Sequence, residues 1–482
     1  MIQLFFSFLH QYKLSLQHLI LDMSLIKSIS GIRGTIGGKV AVNLTPIDTV
    51  KFAAAYGMWL KEQSKNEQLT VIVGRDARIS GKMVSSLVCN TLVGLGINVN
   101  DIGLSTTPTV EVAVALDKAD GGIIITASHN PKQWNALKLL NNKGEFLNAV
   151  EGEKVLKIAE NDAYIFAEVD DLGRYRKKQG YISKHIKEVL KLNLVDIDAI
   201  KKAKFKVVVD AVNSTGGIAI PELLEKLGVE CVQLYCEPNG EFPHNPEPLK
   251  EHLTDISELV VKEKADFGIV VDPDVDRLAI VNEDGSMFGE EYTLVACADY
   301  VLGKTKGNTV SNLSSSRALR DITEKHGVEY QASAVGEVNV VELMKATNAI
   351  IGGEGNGGII YPESHYGRDS LVGVALFLSH LAKLKISCKE LRDSYPSYFM
   401  SKNKIELTQE IDVDAILVSM ASTYKNEDVI TIDGVKINFE TEWIHLRKSN
   451  TEPIIRIYTE STSQKKADDL AVRFINEIKE II

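Results

Sequence analysis

The chain has 482 residues, with 54 Lys and Arg against 65 Asp and Glu for a formal net charge of −11, and is 44% hydrophobic and 25% charged. That balance excludes a disordered or fibrous protein and argues against nucleic acid or an anionic membrane surface as a partner. The length predicts three or four domains, and the scattered cysteines (Cys89, Cys231, Cys236, Cys297, Cys388), with no C-x-x-C pair, predict a reducing, cytoplasmic setting.

At the N-terminus, the apolar run Ile2 to Leu9 has no Lys or Arg before it and no small-x-small cleavage site after it, so it does not read as a secretory signal. Met23-Ser24-Leu25 reads as a natural start, which makes residues 1–22 an N-terminal extension. No later stretch approaches the roughly 18 apolar residues that span a bilayer.

A unit of apolar β run, polar loop, helix and Gly-led strand then recurs. The first copy runs through Val71-Ile72-Val73, a helix over 82–95 and Gly96-Ile97-Asn98-Val99. The second has Phe205 to Asp210, a helix over 221–227 and Gly228-Val229-Glu230; the third has Asn308-Thr309-Val310, a helix over 317–326 and Gly327-Val328-Glu329-Tyr330. Each glycine follows a last helical turn, where positive φ lets the chain reverse into a strand. The pattern predicts three related α/β domains. Helices over 151–159 and 181–192 flank the polar run Asp170-Asp171-Leu172-Gly173, where a domain boundary is expected. Near the C-terminus, a hairpin turn at Asp433-Gly434, two strands around a polar loop over 447–453 and a charged helix over 464–482 predict a separate α+β domain.

Four loops carry chemistry. In Thr126-Ala127-Ser128-His129-Asn130-Pro131, Ser128 stands just past the end of the strand Gly122 to Ile125, where α/β sheets bind ligands. It is a candidate nucleophile. The adjacent His129 is expected to diverge from it, and G-x-S-x-G is lacking, which argues against acyl transfer. In Asp272-Pro273-Asp274-Val275-Asp276-Arg277, extended backbone would turn the three carboxylates to one side, where close anions need a cation and hard oxygen ligands select Mg²⁺ or Ca²⁺. The spacing fits an EF-hand up to Glu283 at the twelfth place, but Arg277 stands where its turn requires Gly, and both flanks read as strands. A solvated acidic turn is the alternative. The loop Gly352 to Gly358 lies between two apolar runs rather than opening a helix, which speaks against a dinucleotide; its bare backbone, with Glu354 and Asn356, suits a sugar. Arg447-Lys448-Ser449-Asn450-Thr451-Glu452-Pro453, with Arg456 beyond, offers the charge and directional donors that a phosphate dianion needs, although a charged hairpin tip fits the same residues.

Taken together and in this order, the loops resemble those of the α-D-phosphohexomutase family over residues 23–482. The resemblance implies an α/β fold of three related mixed α/β domains plus a C-terminal α+β domain around a central cleft. It places the phosphoserine loop in 23–165, the metal loop in 166–286, the sugar-binding loop in 287–397 and the phosphate-binding loop in 398–482, after the extension 1–22. From the family's T-x-S-H-N-P, D-x-D-x-D-R and G-I-R-G segments it implies a phosphoserine at Ser128 with His129 beside it, and Mg²⁺, one per chain, on Ser128, Asp272, Asp274 and Asp276. Arg277, Arg33 and Lys138 are implied beside the reacting phosphoryl group, with Lys138 also as a proton shuttle. Substrate contacts are implied for Glu354, Asn356, Arg447, Ser449, Asn450, Thr451 and Arg456. Two departures stand out: Asn356 and Gly358 occupy the places of the family's usual Ser and His in the sugar loop. Glu337, after Val335-Gly336, stands where phosphoglucosamine mutases carry an acid that can pair with a sugar ammonium group.

The activity implied is interconversion of hexose 6-phosphate and hexose 1-phosphate through the phosphoserine and a bisphosphate intermediate, with hexose 1,6-bisphosphate as activator and glucosamine 6-phosphate as the preferred substrate. Phosphomannomutase or phosphoglucomutase activity, a non-catalytic phosphosugar-binding protein and a sugar phosphatase are the alternatives. The expected partner is a small-molecule hexose phosphate, with no nucleic acid and no membrane, for a cytoplasmic monomer or homodimer. A hinge for the last domain is expected over 394–403, around Pro396.

Overall fold

The computed structural model describes residues 24–28, 31–406, 411–448 and 454–481. The extension 1–22 and the loop residues Ser449, Asn450 and Thr451 lie outside them. The chain divides into two compact units: one runs to Ile182 and takes in Val212–Thr215 and Glu237–Glu247, and the other comprises Ser183–Ala211, Gly216–Cys236 and Pro248–Ile482.

The first unit is built on a sheet of β1 (Ile26–Ser28), β2 (Gly31–Thr35), β3 (Thr70–Arg75), β4 (Asn98–Leu104), β5 (Gly121–Ile125), β6 (Trp134–Leu140) and β7 (Tyr175–Lys177), in the order β1-β2-β6-β5-β3-β4-β7. Its central strands are apolar throughout because both faces are covered. Val71, Val73, Ile123 and Ile125 point into one core with helices Pro46–Gln63, Gly81–Gly94 and Ala149–Glu160, while Ile72 and Ile124 point into another with helix Thr107–Asp117. Residues 166–177, assigned to the second domain from sequence, differ from that expectation: β7 extends this sheet, parallel to β4, with backbone bonds from Val99 and Lys178 closing the edge. The polar run over 170–173 is a 3₁₀ turn into an edge strand, a role that short polar segments fill well.

The second unit holds three sheets. The first is β9-β8-β10-β11, from β8 (Lys206–Asp210), β9 (Glu230–Leu234), β10 (Phe267–Val271) and β11 (Leu278–Asn282). The next is β13-β12-β14-β15, from β12 (Thr309–Asn312), β13 (Tyr330–Ser333), β14 (Ile351–Glu354) and β15 (Gly358–Ile360). Both repeat the order and directions of β4-β3-β5-β6: three parallel strands, then an antiparallel fourth. The three copies expected from the repeat are therefore present, and Gly96, Gly228 and Gly327 take φ of 80°, 71° and 70°. The helix of the second copy starts at Gly216 rather than Pro221, which sits inside it.

The last sheet, β16 (Phe399–Glu406), β17 (Asp428–Ile430), β18 (Val435–Asn438), β19 (Trp443–Lys448) and β20 (Ile454–Ser461), is antiparallel in the order β16-β20-β19-β18-β17. Helices Val413–Thr423 and Gln464–Ile481 cover it around Phe474, Ile457 and Leu446. Asp433-Gly434 makes the expected hairpin turn between β17 and β18, with Gly434 at φ 71°. This sheet grips the loop after β12: Lys436 Nζ donates to Leu313 O at 2.7 Å, His445 Nδ1 meets Ser314 Oγ at 2.9 Å, and Arg317 N–H donates to Glu460 at 3.0 Å. Over the expected hinge, Tyr292 hydroxyl donates to Pro396 O and accepts from Tyr398 N–H, both at 2.8 Å, and β16 begins at Phe399. Among the described residues, no helix is long and apolar enough to cross a membrane.

Burial pushes the His445 imidazole down to about 4. Between its ordinary value and that pH the unfolded chain binds the proton and the folded chain does not, so stability is lost as pH falls through this window, by on the order of 3 kcal/mol at most. Protection factors across β18 and β19, taken against the intrinsic exchange rate at each pH, are expected to fall between about pH 6.5 and 4. In His445→Gln that fall is expected to be smaller; an unchanged profile would place the acid sensitivity elsewhere.

Candidate active site

In each of the three related sheets, one chemistry-bearing loop joins the third strand to its antiparallel neighbour: 126–133 after β5, 272–277 after β10 and 355–357 after β14. Each reverses through one residue in the left-handed region, Ser128 (φ 48°), Val275 (φ 64°) and Gly357 (φ 82°). Only the last is conformationally free there, so the first two loops must be held by their surroundings.

Arg78 holds the first. Its guanidinium is fully buried and donates to Asp76 Oδ2 (3.0 Å), to the carbonyls of Pro131 (2.7 Å) and Trp134 (3.0 Å), and to those of Ser128 and Asn130 (both 2.6 Å). Asp76 also accepts from the Thr126 hydroxyl at 2.7 Å, which in turn accepts from Ser128 N–H at 3.0 Å. Phe242 lies over the guanidinium at 5.0 Å. The left-handed Ser128 brings His129 back toward it, contrary to the expected divergence: Nδ1 is 3.4 Å from Ser128 Oγ, at the long end for a hydrogen bond. Arg33, on β2, donates to Asn130 Oδ1 at 2.9 Å, and the buried Lys138, on β6 opposite Ile124, puts Nζ 5.6 Å from the Phe146 ring. Ser128, His129, Arg33 and Lys138 thus belong to the first unit, and Asp272, Asp274, Asp276, Arg277, Glu354, Asn356, Arg447 and Arg456 to the second.

The three aspartates come together, with one oxygen of each within 4.8 Å of the others and all of them buried. The expected cause was extended backbone; the chain instead makes a tight turn in which Val275 N–H donates to Asp272 O, and Asp272 Oδ1 accepts from the N–H groups of Asp276 and Arg277, each at 3.1 Å. A β-branched residue at positive φ is costly, and Ser370 N–H on Val275 O (3.2 Å) helps to secure it. A buried set of three carboxylate oxygens fits a hard divalent cation.

The sugar loop packs against this one. Leu278 N–H donates to Gly357 O at 3.0 Å, and a Cβ at Gly357 would lie 2.3 Å from Leu278 O. Glu354 accepts from Asn312 Nδ2 and from Arg368 Nη1, both at 2.9 Å. Asn356 turns inward: its Oδ1 accepts from Gly358 N–H at 3.2 Å, so it shapes the loop. A Cβ at Gly355 would sit 2.1 Å from the Glu291 carboxylate, whose pKa desolvation drives well up. Glu337 opens helix Glu337–Thr347 and gives its carboxylate to the Arg368 side chain (3.1 Å) and backbone N–H (2.9 Å). Burial raises the Glu337 pKa, and Arg368 opposes the rise. Of the phosphate loop, Arg447 pairs with Asp433 at 3.0 Å and stands opposite Arg456 across β19 and β20.

A second candidate cation group, His185, His365 and Asp369, is explained by hydrogen bonding. Asp369 Oδ2 takes His185 Nε2 at 2.9 Å and His365 Nε2 at 3.2 Å, while Oδ1 caps helix Ser370–Leu384. Burial disfavours the Asp369 charge, but the two imidazoles outweigh it and hold its carboxyl well below the usual range.

Sequence reasoning missed Asp76, Arg78, Asn312 and Arg368. Arg75-Asp76-Ala77-Arg78, charged residues directly after an apolar strand, and Arg368-Asp369, directly before an apolar helix, were the available signals.

Models of four phosphoglucomutase/phosphomannomutase domains match the chain in order: alpha/beta/alpha domain I over residues 25–165, domain II over 180–285, domain III over 289–398 and the C-terminal domain over 404–477. A phosphoglucomutase/phosphomannomutase of Thermococcus kodakarensis is 36% identical, covering 92% of this chain and 98% of the relative. A phosphoglucosamine/phosphogalactosamine mutase of Sulfurisphaera tokodaii is 32% identical, covering 93% and 98%. A phosphoglucomutase/phosphomannomutase family crystal structure from Burkholderia thailandensis has the same fold, with TM-score 0.80 at 24% identity over 94% of this chain and 98% of that one.

Arg78→Met would leave Asp76 and four carbonyls without their shared donor. We expect it to destabilise the first unit by about 4 kcal/mol or more, seen as loss of exchange protection in β5 and β6. Unchanged protection there would mean that Arg78 does not hold the loop.

Proposed function

The chain belongs to the phosphoglucomutase/phosphomannomutase superfamily, the α-D-phosphohexomutases, and from that premise we propose that it interconverts hexose 6-phosphate and hexose 1-phosphate by way of a phosphorylated Ser128. Family membership supports a phosphohexomutase-type isomerase.

The observation that carries it is the buried Asp272, Asp274 and Asp276 cluster, whose three converging carboxylate oxygens suit one Mg²⁺. When bound there, a divalent cation neutralises charge on a transferring phosphoryl oxygen. The O–P bond of phosphoserine 128 breaks as the free hydroxyl of a bound hexose monophosphate forms a new one, and Lys138 relays the hydroxyl proton to the departing Ser128 Oγ. The resulting bisphosphate turns over; the O–P bond at its other end breaks as Ser128 Oγ takes that phosphoryl, the Ser128 proton passes to the freed sugar oxygen, and the isomer leaves. Arg33, Arg277 and His129 line the transferring group, a task of positioning and charge. Glu354 orients the sugar hydroxyls, and Arg447, Ser449, Asn450, Thr451 and Arg456 grip the phosphate that is not reacting. Hexose 1,6-bisphosphate serves as activator by restoring phosphoserine.

For the hexose we favour glucosamine 6-phosphate. Asp276, Glu337 and Glu354 set three carboxylates around one guanidinium, an excess of negative charge that suits a sugar ammonium group. The free thiols of all five cysteines support a cytoplasmic setting.

A panel of glucosamine, glucose, mannose and N-acetylglucosamine 6-phosphates, with Mg²⁺ and a trace of the matching bisphosphate, tests this. Glucosamine 6-phosphate is expected to give the highest kcat/KM, and Ser128→Ala to lower it at least about a thousandfold. Release of inorganic phosphate instead of isomer would identify a phosphatase, unchanged ligand a sugar-phosphate sensor, and full activity in Ser128→Ala would remove that residue from the mechanism. With the wild type, a chelator is expected to abolish exchange and Mg²⁺ to restore it.

A further inference from the structure

Arg368 makes three ion pairs from one buried side chain. Nη2 donates to Asp276 Oδ2 at 2.7 Å, Nη1 to Glu354 Oε2 at 2.9 Å, and Nε to Glu337 Oε2 at 3.1 Å. Its backbone is fixed as well: N–H donates to Glu337 Oε1 at 2.9 Å, Arg368 bridges Ile360 as an extra antiparallel partner, and the next residue, Asp369, is pinned by two imidazoles and a helix N-terminus. The side chain crosses the sugar loop where residue 358 has none; a Cβ at Gly358 would lie 2.3 Å from Arg368 Cδ and 3.0 Å from Cγ. Gly358 and Arg368 are therefore a matched pair.

Resting on the proposed function above, we propose that Arg368 is a positioning residue that ties the acidic metal loop to the sugar loop, holding Asp276 and Glu354 with a single guanidinium. Each of its two effects has its own sign. At Asp276 the guanidinium is a cation bonded directly to one member of the carboxylate triplet, so it competes with a divalent ion for that charge. At Glu354 it fixes a carboxylate that must present its oxygens to sugar hydroxyls, a charge-assisted bond whose loss costs binding. Removing Arg368 should therefore tighten metal binding and weaken sugar binding. General structural damage cannot imitate this, because disorder in the loops weakens both.

The experiment uses the full chain without turnover. Mn²⁺ affinity is read from the free-ion electron paramagnetic resonance signal, and glucosamine 6-phosphate affinity by calorimetry, for wild type, Arg368→Met and Gly358→Ala. In Arg368→Met, Mn²⁺ is expected to bind about fivefold tighter or more, and glucosamine 6-phosphate about tenfold weaker or more. Any other pair of signs, or both affinities within about twofold of wild type, overturns the proposal. If Arg368→Met does not fold, Gly358→Ala decides: it keeps every charge but displaces the arginine stem. It should weaken glucosamine 6-phosphate about fivefold or more; an unchanged sugar phosphate affinity overturns the tie. Both readouts are equilibrium binding, so absence of mutase turnover would sink the proposed function while leaving this test intact.

Discussion

Concentrated negative charge organises the interior of the second unit. Three aspartate oxygens stand within 4.8 Å of one another, and the buried Glu354 and the half-buried Glu337 join Asp276 at one guanidinium. Anions at that separation in a weakly polar surrounding repel by several kcal/mol or more, unless cations and hydrogen-bond donors answer them. Burial works against charge on Arg368, yet Asp276, Glu337 and Glu354 outweigh it and keep the guanidinium protonated. The backbone N–H groups of Asp276 and Arg277, turned onto Asp272, answer part of the rest. A divalent ion on the triplet is the complement that such a charge balance favours.

The repeated topology explains why chemistry collects where it does. Three parallel strands followed by an antiparallel return leave a short reversal at the carboxyl end of the third strand, and each copy places one of the candidate loops there. The reversal needs a left-handed residue. Using Ser128 or Val275 rather than glycine stores strain that the neighbouring contacts must hold.

The holding is done in a parallel way in the two units. Arg78 gathers the carbonyls of the serine loop around one buried fork, and Arg368 gathers carboxylates from three segments around another. Lysine could not replace either, since a point charge lacks the planar set of donors that reaches several acceptors at once. The bare Gly358 beneath Arg368 shows the same economy from the other side: one loop gives up a side chain so that a distant one can enter.

Much of this was legible in sequence. Strand and helix alternation, turn glycines at 96, 228 and 327, and the contiguous serine, aspartate and glycine loops are encoded by neighbours along the chain, and local physics decodes them. That the aspartates converge was readable; that they do so through a turn at Val275 was not, because the left-handed conformation is imposed by contacts such as Ser370 N–H. Likewise Glu337 read as an acid that could pair with a sugar ammonium group, and became one corner of an ion cluster. By itself, the sequence determined the strand pattern, the repeated unit and the clustering of polar and charged residues in particular loops. Tertiary structure alone decided what holds those groups in place: Arg78 lies 50 residues from Ser128 and Arg368 lies 92 from Asp276, and a guanidinium chooses its partners through space, where the spacing of residues along the chain carries no information.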